Sequence, residues 1–127
     1  MTKIKKVHAR QVFDSRGNPT VETEITLENN IKTSSIVPSG ASTGAFEAHE
    51  LRDNDKNYFL GKSVLKAVKN VNTVISEKIT GQEPNDQKNI DDILLKLDGS
   101  DNKKNLGANS LLAVSLAVNN KANSADE

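Results

Sequence analysis

Val21-Glu22-Thr23-Glu24-Ile25-Thr26-Leu27-Glu28 decides the fold. Val21, Thr23, Ile25 and Leu27 alternate with Glu22, Glu24, Thr26 and Glu28, a period of two that specifies a half-buried strand with an acidic outer face. Working back, Asp14-Ser15-Arg16-Gly17-Asn18-Pro19 is turn chemistry throughout. Asp and Ser bond their own backbone, Gly17 permits positive φ and Pro19 fixes its own φ. Residues 3 to 13 before it read as a first strand. Working forward, Asn29-Asn30 suits a tight turn, since Asn tolerates the left-handed region, and Ile31 to Val37 returns as a third strand. A strict two-residue turn would set Ile25 against Ser34 and Leu27 against Lys32. A bulge or a three-residue loop is therefore expected, and the product is a three-stranded antiparallel meander.

Beyond the third strand lies Val37-Pro38-Ser39-Gly40-Ala41-Ser42-Thr43-Gly44. Pro38 removes a backbone donor and ends strand pairing. Gly40 and Gly44 open backbone angles closed to other residues, while Ser39, Ser42 and Thr43 offer oxygens to a hard cation or a phosphate. The spacing is not that of a Walker A loop, and no lysine follows the second glycine. On composition alone a lid, an anion loop and a plain connector all remain open.

The period then changes. Val64, Leu65, Val68, Val71 and Ile75 form one helical face. Ile90, Ile93, Leu94 and Leu97 form a second, with Asn85 or Asp86 as N-cap and Gly99 as the stop. A third helix runs from about Ala108 through Val118, apolar nearly all round and therefore expected to be buried on most sides. Strands first and helices after define an α+β domain: a three-stranded antiparallel meander followed by a bundle of three to four helices.

The 127 residues fit one domain, residues 1–127. Seventeen basic residues balance 17 acidic ones, which gives no support to a nucleic-acid or anionic-membrane partner. Cysteine is absent, so thiolate chemistry is excluded and a reducing cytoplasm fits. No apolar run approaches a membrane span, and no secretory signal opens the chain. Hydrophobic residues are only 35% of the chain. That fits either a small, marginally stable protein or a domain that completes its burial against another domain or subunit, and the second is preferred.

Candidate chemistry is sparse. His8 sits on a strand and His49 lies beside Glu47 and Glu50, without the i, i+4 spacing of a zinc helix. Glu47, Glu50, Asp53 and Asp55 form an acidic cluster, readable as a magnesium site or, preferably, as a solvated helix start with Glu47 to Arg52 making one turn. No general base, nucleophile or metal cluster assembles, so a catalytic set is not expected in this chain.

Ala9-Arg10-Gln11-Val12-Phe13-Asp14-Ser15-Arg16-Gly17-Asn18-Pro19-Thr20-Val21-Glu22 resembles the opening of the enolases. So do Val37 to Gly44, Glu50-Leu51-Arg52-Asp53, Leu60-Gly61-Lys62, Ala67 to Asn72, Leu97-Asp98-Gly99, Leu106-Gly107-Ala108-Asn109 and Ala113 to Ala117. The resemblance is to the amino-terminal domain of that family alone. It implies a parent lyase that dehydrates 2-phosphoglycerate to phosphoenolpyruvate with two Mg²⁺ ions. The lysine base, glutamate acid, remaining metal carboxylates and phosphate-binding residues would lie on a β/α barrel absent here, leaving this chain inactive alone.

The resemblance further implies that Ser39, Gly40, Ala41, Ser42, Thr43 and Gly44 form a mobile lid, with Ser42 a ligand of the second magnesium. Arg10, Arg16 and Glu22 would lie at the interface of a homodimer or higher oligomer built through the first strands, Glu22 pairing with a barrel arginine of the partner. Without its barrel the lid is expected open and metal-free. Asn54 stands where the family commonly has glycine, Phe46 is unusual in a lid-adjacent stretch, and residues 119–127 are poorer in alanine than usual. The alternative readings are a free-standing, non-catalytic domain that binds a barrel partner, and a superfamily relative acting on another acid, against which the intact loop argues.

Overall fold

The computed structural model describes residues 2–37, 50–100 and 105–125, with side chains through Asn120. Three strands, β1 (Ile4–Phe13), β2 (Pro19–Leu27) and β3 (Lys32–Ile36), form an antiparallel sheet in the order β1-β2-β3. The helices follow. α1 (Leu65–Asn70) passes through a π-helical turn (Val71–Ile75) into α2 (Ser76–Ile79), and α3 (Gln87–Asp98) and α4 (Ala108–Ala125) complete the chain. The α+β meander-then-helices architecture is as expected.

Each turn is built by the residues that specify it. The Asp14 carboxylate accepts from the Arg16 and Asn18 amides, both at 2.9 Å, and Gly17 adopts φ 78°. The second connection is a three-residue loop, Glu28 to Asn30. The Leu27 amide donates to the Ile31 carbonyl at 2.9 Å, and Asn30 takes the left-handed φ of 68°. Ile25 therefore faces Thr33 and not Ser34. β1 holds an irregularity that strict alternation would miss: the register shifts between Ile4 and Lys6. That shift turns both Ile4 and Val7 inward, three residues apart, onto the buried face.

The sheet's inner face packs on the helices. Val7, Ala9, Val21, Ile25 and Leu27 meet Val64, Ala67, Val71, Ile75 and Ile79 from the first helical run, and Ile90, Leu94, Leu111 and Val114 from the other two. α4 lies across β2 and β3. It is buried from Ala108 to Val118 with only Leu116 partly exposed, as its apolar composition predicts.

The first helix needs a correction. Leu65 is 57% exposed and belongs to no core face. The buried set is Val64, Ala67, Val71, Ile75 and Ile79, so the stripe is anchored by an alanine that apolar counting passed over. Val71 to Ile75 follows the wider π spacing. Asn72 projects from that turn and bonds both backbone groups of Ala9: the Ala9 N–H donates to Oδ1 at 2.7 Å and Nδ2 donates to the carbonyl at 3.0 Å. At Ile4 the same edge of β1 pairs with the backbone of Gly81 and Gln82. Both contacts cover strand groups that would otherwise invite another chain.

Asp86 caps α3 by accepting from the Asn89 amide at 3.1 Å, and Gly99 ends it at φ 72°. Buried Asp98 then organises the return to α4, accepting from the Ser100 and Leu106 amides at 3.0 and 2.7 Å.

Candidate functional site: the anchors of the β3–α1 connection

The candidate lid residues Ser39, Gly40, Ala41, Ser42, Thr43 and Gly44 lie outside the described residues, as do Phe46, Glu47 and His49. Their flanks are described in full. On the upstream side, Val37 is buried at the end of β3. Its amide donates to the Val21 carbonyl at 3.1 Å, and its carbonyl accepts from the Thr20 hydroxyl at 2.9 Å. Thr20 thus ties the exit of β3 to the central strand.

The downstream side is held by three side chains. Asn109, at the start of α4, forms a paired amide clasp on Leu51: the Leu51 N–H donates to Oδ1 at 3.0 Å and Nδ2 donates to the Leu51 carbonyl at 3.1 Å. Arg52 spans the junction. Its Nη1 donates to the carbonyls of Pro19 and Lys62, at 2.9 and 2.6 Å, while Nε and Nη2 hold the Glu50 carboxylate. Asp53 accepts from the Leu65 and Lys66 amides, at 3.1 and 2.9 Å, and so caps the first helical run. The connection therefore leaves β2's edge partner and rejoins the fold against the first residue of β2.

Gly107 makes this clasp possible. Its φ is 92°, and a Cβ there would stand 2.4 Å from Leu51 Cβ and 2.7 Å from Asn109 Oδ1. Only glycine lets the backbone pass this close.

The acidic cluster does not converge. Glu50 is paired with Arg52, Asp53 caps a helix, and Asp55 accepts from the Asn57 amide at 3.1 Å. Glu50 to Arg52 is not helical, which corrects the expected helical turn in its described part. Arg52, at the centre of the clamp, holds this extended segment instead, donating to neighbouring carbonyls as well as to Glu50. No three His, Cys, Asp or Glu side chains among the described residues are placed to hold a metal ion. His8 stands opposite Glu24 in the β1–β2 register.

The residues expected at a subunit interface lie on or beside the outer face of the sheet. Arg10 and Glu22 face each other across β1 and β2 and form an ion pair within the chain. Arg16 is exposed in the first turn. Asn54 has φ 60°, so it occupies the left-handed conformation for which its side chain is suited. Sequence reading missed Thr20, Asn109 and Gly107, whose roles depend on contacts across 17 to 58 positions. Among the described residues no helix is long and apolar enough to cross a membrane.

A three-stranded meander backed by helices, with the described flanks of the β3–α1 connection held by Thr20, Asn109 and Arg52, defines an α+β domain. The chain belongs to the family described as enolase, N-terminal domain, whose match extends over residues 4–127.

Proposed function

We propose that this chain serves as the lid-bearing and dimerisation domain of an enolase, a lyase that dehydrates 2-phosphoglycerate to phosphoenolpyruvate in the cytoplasm. The family match over residues 4–127 carries this reading. The clamped flanks support it, because a loop that closes over a substrate works best between fixed ends. On this reading Ser39 to Gly44 is the lid, and the barrel that performs the chemistry is a separate domain.

The family's magnesium supplies Lewis acidity toward the substrate carboxylate when bound. The described residues do not fit such a site, since no set of carboxylates or histidines converges. Mg²⁺ requires a near-octahedral shell of oxygens, and Ser42 supplies only its hydroxyl and carbonyl. No step can therefore be assigned to a metal on this chain, and Ser42 is proposed as one ligand among others from the barrel. What the chain's own residues do is hold: Thr20 fixes Val37, Asn109 fixes Leu51, and Arg52 ties the rejoining chain to Pro19. Arg10, Arg16 and Glu22 are proposed at the subunit interface, where Glu22 would exchange or share its Arg10 partner with a barrel arginine.

The test is Ser42→Ala in the protein with its barrel attached. The Mg²⁺ concentration for half-maximal turnover should rise and turnover should fall, with the melting temperature held within a few degrees. Unchanged magnesium dependence would remove the Ser42 hydroxyl from the site and leave only its backbone carbonyl, which the substitution keeps.

A further inference from the structure

The sheet has two edges, and the fold treats them differently. The outer edge of β1 is covered at several points. The Ile4 amide donates to the Gln82 carbonyl at 3.0 Å, and the Ile4 carbonyl accepts from the Gly81 amide at 2.7 Å. Asn72 takes both backbone groups of Ala9, and the Gln11 side chain accepts from the Val64 amide at 2.8 Å. An uncovered strand edge is a template for pairing with another chain, and cover of this kind removes it.

β3 forms the other edge. The Val37 amide donates to the Val21 carbonyl, and the Leu27 amide to the Ile31 carbonyl. Bonded and unbonded pairs alternate along an antiparallel ladder, so Thr33 and Ser35 also turn their backbone groups toward β2. Lys32, Ser34 and Ile36 therefore turn theirs away from the sheet, and all three residues are exposed. Among the described residues one hydrogen bond reaches this edge, from Asn120 Nδ2 to the Ser34 carbonyl at 3.5 Å. That bond is long, and a carbonyl keeps a second lone pair, so the edge stays open to a strand.

We propose that β3 pairs antiparallel with β3 of a second copy of this chain, about a two-fold axis through Ser34. The strand is complementary to itself in that register. Ser34 faces Ser34 and Lys32 faces Ile36, so no like charges are opposed. Each Lys32 stem covers the other copy's Ile36, which is 45% exposed in the single chain. Ile36 in turn stands opposite Glu22 of its own β2. The Lys32 of one copy thus lies two strand spacings, about 10 Å, from Glu22 of the other, within the combined reach of the two side chains. Glu22 already holds Arg10, and a carboxylate has room for further donors. A lysine on an edge ordinarily guards against pairing; this register sets it beside an apolar side chain and an acid. The two-fold axis repeats every contact, as an isologous interface requires. A five-residue strand buries little area, so the dissociation constant is expected on the order of 0.1–1 mM.

The experiment follows the 127-residue chain by analytical ultracentrifugation from about 0.01 to about 1 mM, a range that brackets the expected constant. Amide hydrogen exchange is measured at both ends of the range. A dimer should form at the upper end, with exchange slowed at Lys32, Ser34 and Ile36 and unchanged at Ser35, whose amide already serves β2. Ser34→Pro deletes an outward donor and spares the β2 pairing, so the dissociation constant should rise about tenfold or more. Ser34→Lys is the second variant. Within the chain it sets a lysine opposite Glu24, which suits the fold, and across the axis it sets two lysines together, so the dimer should be lost. Unchanged Ile25 and Val71 amide resonances establish that both variants are folded. A monomer throughout the range, a dimer that both variants keep, or slowed exchange at other amides only would each overturn the proposal. So would a dimer lost with Arg16→Glu and kept with Ser34→Pro, which would place the contact at the first turn.

Discussion

At Thr23 a hydroxyl lies in the centre of the core, fully buried, with no hydrogen-bond partner for its oxygen. It shares the inner face of β2 with Val21 and Ile25. Thr23→Val keeps the shape and removes the unpaired oxygen, so chemical denaturation should show stabilisation on the order of 1 kcal/mol. Gly107 gives the opposite result. Gly107→Ala forces an L-residue to φ 92° and drives a methyl into Leu51 and Asn109, costing about 2–5 kcal/mol by the same assay. Asn109→Ala removes both bonds to Leu51. Hydrogen exchange at the Leu51 amide should then accelerate roughly tenfold or more, for a loss of about 1–3 kcal/mol, with the Ile25 and Val71 amides little changed. At this scale the sequence is a partial guide. Asp14 and Gly17 announce their turn, because its chemistry is local. Asn109 looks like any polar residue at a helix start, because its partner is 58 positions away.

At the scale of elements, periodicity located β2, α3 and α4, since each buries one face or nearly all of its surface. Asp86 and Gly99 bound α3 as cap chemistry requires. Asp86→Ala should cost about 1 kcal/mol of stability, read as a fall in melting temperature. The first helix shows where pattern reading stops. Leu65 fits a 3.6-residue stripe as well as Val64 does, yet Asp53 caps the run so that Leu65 points to solvent. The π turn then resets the phase for Ile75 and Ile79. Leu65→Ser should consequently change stability by no more than about 0.5 kcal/mol, whereas Ile75→Ala should cost about 2–5 kcal/mol. A paired denaturation series checks both. The bulge near Lys5 escaped sequence reading for a similar reason: the inserted residue is visible only against the partner strand.

At the scale of the whole molecule, the chain is an α+β domain of the enolase N-terminal family in which Val37 and Leu51 are each fixed by a side chain of another element. Large side chains remain outside that core. Phe13, Tyr58, Phe59 and Leu60 are all exposed, with Phe13 and Phe59 in edge-to-face contact at 5.0 Å. We propose that this exposed set meets other protein surface. The proposed lid, Ser39 to Gly44, rests on family resemblance alone, and what the structure adds is the fixing of Val37 and Leu51 on either side. This chain is proposed to carry the lid while the chemistry requires a barrel. The most direct measurement follows phosphoenolpyruvate formation from 2-phosphoglycerate and Mg²⁺, using the 127-residue chain alone and joined to an enolase barrel, with a cooperative thermal transition confirming that each is folded. No turnover above background is expected for the chain alone, and ready turnover for the joined protein. Sustained, protein-dependent turnover by the chain alone would contradict it.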